Sequence, residues 1–212
     1  MNYFEKANIG STKVNNGGGS KREYSNKIPG NFLARIDRCK MFKKDGGMGL
    51  PAVAMEGEII WHEDDKFVGT GIQEMADMGK QQMKHFITQT KKMSAITLML
   101  DEVVDSYNPN ADLGDDVWNG AAAATFGEFS ETDGKPDAGF ETPVKGIVIR
   151  YANTPKDEYE TDGKGNAVKT GNKVEGMYWA NMMGPVTDAD ELKENGVDLE
   201  SVTGLHPAYS AE

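Results

Sequence analysis

The 212-residue sequence predicts a mainly β protein of the α+β class, a curved five-stranded barrel interrupted by a helical insertion. Three observations predict it. Residues 31–62 and 143–183 each read as a β-hairpin, two strand-like runs around turn residues. Between them, residues 70–130 carry apolar side chains at helical spacing. Glycines inside the strand-like runs mark bulges and tight curvature, which a small barrel needs.

The first hairpin runs from Phe32 to Lys44, turns through Asp45-Gly46-Gly47 and returns over Leu50 to His62. On the returning strand Val53, Met55, Ile59 and Trp61 share one parity, while Ala52, Glu56, Glu58 and His62 share the other. That alternation indicates a half-buried strand, and it sets Trp61 on the apolar side. On the outgoing strand the parities mix: Ile36 falls with Arg38 and Lys40, and Leu33 with Arg35 and Cys39. A bulge or strong curvature would resolve the conflict.

Residues 70–107 read as helical. Ile72, Met75, Ala76, Gly79, Met83, Phe86 and Ile87 trace one apolar face, with Val68 to Ile72 as an alternative short third strand. Ile96, Leu100, Val103 and Val104 trace a second face after Ser94, an expected N-cap. A shorter helix is expected over Val117 to Phe126. The closing hairpin joins Val144–Tyr151 to Lys173–Trp179 through Asp162-Gly163-Lys164-Gly165-Asn166, a run of turn residues. Hairpin, helices, hairpin is the order of the oligonucleotide-binding OB-fold, whose helix lies between its third and fourth strands. An α+β sandwich would use the same elements.

Charge divides the chain further. The formal net charge is -11, yet residues 1–44 hold ten Lys/Arg against three Asp/Glu, a balance of +7. Residues 101–142 balance at -10 and residues 187–212 at -6. The expected organisation is a flexible cationic arm at 1–30, a binding domain at 31–183 with its helical insertion at 70–130, and an acidic C-terminal tail at 184–212. Mean acidity disfavours passive coating of duplex DNA. A local cationic groove survives it, because the Debye length at physiological salt is only about 8 Å.

Catalysis is not expected. His62, His85 and His206 are scattered, no metal-ligand spacing occurs, and no glycine-rich phosphate loop is present. Asp101, Glu102 and Asp105 read as a solvated helix face. The lone Cys39 excludes an internal disulfide and suits a reducing, cytoplasmic setting. No run approaches the roughly 20 apolar residues of a membrane span. No cofactor or metal is read from the sequence.

The run Phe32 to Lys44 carries five cations and two phenylalanines, types that neutralise phosphate and stack on bases. From Pro29-Gly30-Asn31-Phe32-Leu33-Ala34-Arg35-Ile36-Asp37-Arg38-Cys39-Lys40 onward, the chain resembles the small single-stranded DNA-binding proteins of bacteriophages. The likeness in layout spans about residues 28–183: a Pro-Gly entry, a strand, a hairpin, a Lys-rich helix, a closing hairpin and an acidic tail. The resemblance implies an OB-fold that sequesters single-stranded DNA in replication, recombination or repair. It also implies partner enzymes at the tail and a host-cytoplasmic location, and it leaves homo-oligomerisation open. The positions matching its groove are Arg35, Arg38, Lys40, Phe42, Lys43 and Lys44 on the first hairpin, with Lys145, Arg150, Tyr151, Tyr178 and Trp179 on the second; Trp61 is a further candidate ring. The competing expectation is a non-catalytic phage structural or assembly protein, whose cations would be scattered.

Overall fold

The structure is a computed structural model that describes residues 22–43, 51–78, 83–130 and 133–210. Lys44, the expected turn at residues 45–47 and most of the expected cationic arm lie outside the described residues. Among the described residues, seven strands are present: β1 (Glu23–Tyr24), β2 (Gly30–Lys43), β3 (Pro51–His62), β4 (Gly71–Asp77), β5 (Val148–Thr161), β6 (Ala167–Trp179) and β7 (Met182–Pro185). They form one sheet in the order β1-β4-β3-β2-β5-β6, with β7 added on β5. The sheet curls into a half-barrel, so the molecule is mainly β with a few helices, an α+β arrangement. The four expected hairpin strands are β2, β3, β5 and β6; β4 supplies the fifth, overlapping the alternative Val68–Ile72, and β1 and β7 are additional.

The curl originates in β2. Its first residues pair with β5, from Gly30 opposite Asn153 to Arg35 opposite Val148, and nearly its whole length pairs with β3. Register shifts interrupt β2–β3 between Leu33 and Ala34 and between Ile36 and Arg38. These bulges resolve the mixed parity: Ile36 is buried in the core while Arg38, two residues on, is exposed. Gly57 lies opposite Ile36, where any Cβ would collide with the Arg35 carbonyl, so the close crossing of the two strands requires glycine.

Helices α1 (Met83–Leu100) and α2 (Asp115–Phe126) follow β4 and close the inner face. Met93 and Ile96 of α1 and Phe126 of α2 join Phe32, Ile36, Val53, Ile59 and Ile149 in one buried cluster. The two helices meet through Ala95, Leu98, Trp118 and Ala121, and the Thr97 and Thr125 hydroxyls share a 2.7 Å hydrogen bond. Asp115 and Asp116 occupy the first turn of α2, where negative charge complements the helix dipole.

Four expectations for the middle and end of the chain are corrected. Residues 71–77 form a strand: Ile72, Glu74 and Ala76 point into the core in alternation, because pairing with β3 overrides the helix-like spacing. Helix α1 then runs unbroken through Ser94, which is buried in mid-helix and caps nothing, while Ile87 and Val103 are exposed. The acidic segment after residue 184 contributes to the core. Val186, Leu192 of α3 (Ala189–Glu194), Val197 and Tyr209 are all buried in the main cluster. The Tyr209 hydroxyl accepts from Val148 N at 3.1 Å and donates to Val186 O at 2.8 Å. Gly146, expected within a strand, instead sits in the turn before β5 at φ +84°. Its carbonyl accepts from His206 N at 3.0 Å, and a Cβ there would strike the 204–206 backbone. Among the described residues, no helix is long and apolar enough to cross a membrane.

Candidate nucleic-acid interface

The outer face of the sheet, opposite the helices, carries the cations. Register aligns Arg38 on β2 with Glu56 on β3, Gln73 on β4 and Tyr24 on β1. Directly paired residues project from the same face, so these four side chains form one cross-strand row. The neighbouring row is Lys40, Ala54 and Met75, and the next begins with Phe42 and Ala52. Phe42 is partly exposed, with the Lys40 ammonium 5.7 Å from its ring centroid.

Glu56 organises the first row. Its side chain is 6% exposed and receives Arg22 at 2.7 Å, together with Arg38 Nε and Lys40 Nζ. Arg22 also reaches Asp37 at 2.8 Å. Burial pushes the Glu56 carboxyl up, but the hydrogen bonds and charges of Arg38 and Lys40 outweigh it and hold the group below its ordinary value. Three cations around one buried carboxylate leave net positive charge at the surface, and the Arg38 side chain remains 57% exposed. Lys43, at the end of β2, is exposed, and its backbone N–H donates to Gly134 O at 3.0 Å. Arg38 and Lys40 also border a groove with Lys135 and Phe140.

Beyond Gln73 and Tyr24 the outer face leads into a cleft of about 530 Å³, walled on its far side by Tyr178 and Trp179 at the end of β6. Trp179 is 56% exposed, and Lys156 stands 4.5 Å over its ring centroid. Tyr24 is also an exposed ring, at 46%. From Arg38 to Trp179 this surface thus carries cations at one end and exposed rings with Lys156 at the other.

The remaining sequence candidates are placed differently. Tyr151 is 2% exposed, stacked on Phe32 with centroids 4.6 Å apart, and its hydroxyl donates to Glu74 at 2.9 Å. This corrects its reading as a stacking platform: β5 is central, and Tyr151 faces the core. Arg35 bonds Asp37 at 3.0 Å and the Thr203 carbonyl. Arg150 bonds Glu191 and, at 2.7 Å, Pro185 O. Both arginines lie under the C-terminal segment; Arg150 is apart from the Arg38 row, whereas Arg35 shares Asp37 with Arg22. Trp61 lines a second cleft with Leu33, Arg150 and Met183. Lys145 is exposed on a turn and pairs with Glu141 at 3.0 Å. Arg22, Tyr24, Gln73 and Lys156 were missed because long-range pairing alone assembles them; the Lys156-to-Trp179 approach spans the β5–β6 ladder, where Thr154 pairs with Trp179.

Other chemical groups have structural roles. His62 Nε2 lies 2.9 Å from Pro29 O and its Nδ1 accepts from Asp64 N at 2.8 Å, so the ring pins the start of β2. Burial pushes the Cys39 thiol up to about 12, which suits a packing cysteine rather than a nucleophile. Among the described residues, no three His, Cys, Asp or Glu side chains converge as a metal site. No family model, curated protein or solved structure matches this chain.

Proposed function

We propose that this protein binds and protects single-stranded DNA with little sequence preference, in the replication, recombination or repair of phage DNA. The observation that carries the reading is the continuous track from the Arg38 and Lys40 rows across Gln73 and Tyr24 to the Trp179 cleft. Cations on such a track release condensed counterions, and each base stacked on a ring contributes about 1–3 kcal/mol. Four cations on it, Arg22, Arg38, Lys40 and Lys156, set a salt slope of about -3 for a single strand. Exposed rings suit an unpaired strand, whose bases can splay onto Tyr24, Tyr178 and Trp179.

The half-barrel is proposed to be an open OB-fold. Two features support it: α1 and α2 fall between the third and fourth long strands, and β5 returns to pair with β2. The exposed acids of the C-terminal segment, such as Asp190, Glu194 and Asp198, are the proposed contact for replication or recombination enzymes. Fluorescence polarisation with a labelled dT oligonucleotide, beside a duplex of equal length and at several salt concentrations, tests the reading. Tight, salt-sensitive binding to the single strand and weak binding to duplex is expected. No binding at low salt by the folded protein would reject it and favour the structural or assembly role.

A further inference from the structure

The cleft beside Trp179 has two chemically different kinds of lining. The wall formed by Tyr178 and Trp179 is aromatic, and the cleft's volume of about 530 Å³ falls within the range of small-molecule sites. The lining also includes Asn26, Glu74 and Gln89, which carry hydrogen-bond acceptors. Gln89 of α1 is only 7% exposed, and both its Oε1 and the Oδ1 of Asn26 are buried without a hydrogen-bond partner among the described residues. Glu74, 6% exposed, sits beside them and uses its Oε2 on Tyr151 and Ser25.

Buried acceptors left unpaired are costly, so two at one cleft call for a ligand that supplies donors. A phosphate does not fit, because it is itself an acceptor and meets the Glu74 carboxyl. A flat group that stacks through its face and donates N–H from its edge does fit. We propose that this cleft takes one unstacked nucleobase whose Watson–Crick edge sets an exocyclic amino donor beside a ring-nitrogen acceptor, adenine or cytosine, with its face on the aromatic wall and its amino edge toward Gln89 and Asn26. A carboxamide matches the adjacent donor and acceptor of adenine N6 and N1, and cytosine N4 and N3 offer the same pair. Thymine offers the two unpaired acceptors a single N3–H donor and sets its O2 and O4 carbonyls against them. The source of the base rests on the strand-binding reading above, since a free nucleotide presents the same chemistry. A base preference at this one cleft would be laid over sequence-tolerant binding along the rest of the track.

The test compares a labelled dT oligonucleotide of about 15 nucleotides with oligonucleotides of equal length carrying one central adenine, cytosine or abasic site. A single adenine or cytosine is expected to tighten binding about tenfold over dT, while the abasic site gives no gain. Gln89→Leu is expected to remove that gain and leave dT affinity unchanged. Should Gln89→Leu unfold in a thermal melt, Asn26→Ala takes its place. Equal affinity for all four oligonucleotides overturns the base cleft while leaving strand binding intact. If no oligonucleotide binds, dAMP and dTMP are titrated against the indole N–H resonance of Trp179. A shift with dAMP alone supports the cleft with a free nucleotide as its source, and no shift overturns both readings.

Discussion

Replacing Glu56 with glutamine should weaken the fold and strengthen DNA binding in the same molecule. The carboxylate is 6% exposed and holds Arg22, Arg38 and Lys40. Removing one partner of a buried ion pair costs about 3–5 kcal/mol when the remaining charge stays buried. Here the orphaned cations have water within reach, since the Arg22 and Arg38 side chains are 31% and 57% exposed. Screening and rotation toward solvent therefore reduce the loss to about 2–3 kcal/mol. For a domain of this size that corresponds to a fall in Tm of roughly 4–12 °C. On the other side of the balance, the outer face loses one negative charge amid its cations. Affinity for a dT oligonucleotide should rise, and the salt slope should steepen by about 0.7 for each further phosphate engaged. Urea unfolding at pH 7 and polarisation at four salt concentrations read the two effects separately. A stability loss below about 1 kcal/mol would refute Glu56 as the organiser of the row. Weaker dT binding by the folded variant would refute the row as the DNA track.

Further outcomes follow from single positions. Trp179→Ala should leave the melting temperature unchanged, because the ring is 56% exposed, and should cost about 1–3 kcal/mol of dT affinity; an unchanged Kd would remove Trp179 from the interface. Leu192→Ala should destabilise the whole domain by about 2–5 kcal/mol in a single cooperative transition, since Leu192 is fully buried in the main cluster. A separate early transition would instead mean that the C-terminal segment unfolds on its own. Glu74→Gln tests a pH dependence. Burial raises the Glu74 carboxyl, and its hydrogen bonds from Tyr151 and Ser25 with the nearby Lys92 charge only partly offset that. A raised carboxyl favours the fold below its unfolded value and loses that contribution as pH rises through the folded value. The wild type should therefore lose more stability than Glu74→Gln between pH 4.5 and 8, measured by urea unfolding; parallel profiles would reject the burial of an ionising carboxyl.

Local chemistry made several elements legible. The spacing of Val53, Met55 and Ile59 announced β3, though its other face is not wet, since Ala52, Ala54, Glu56 and His62 are buried as well; the clash of parities at Ile36 and Arg38 announced the bulges that β2 carries. Asp162 to Asn166 announced the β5–β6 turn, where the Asp162 carboxylate accepts from Lys164 N and Asn166 N at 2.8 Å. These signals were readable because each depends on a few adjacent residues. The strand at residues 71–77 was not, because Ile72, Met75 and Ala76 also satisfy helical spacing and only pairing with β3 decides between them.

For the candidate site the division is the same. Residue types made Arg38, Lys40 and Trp179 candidates, since cations and rings on strand-like runs suit a polyanion with bases. Tertiary structure alone decided that Tyr151 faces the core and that Arg35 and Arg150 lie under the C-terminal segment. It also brought Arg22, Tyr24, Gln73 and Lys156 to the track. Side-chain periodicity specifies which face of a strand is apolar, but the partner across a ladder, and hence which charges are neutralised and which remain free, is set by long-range register.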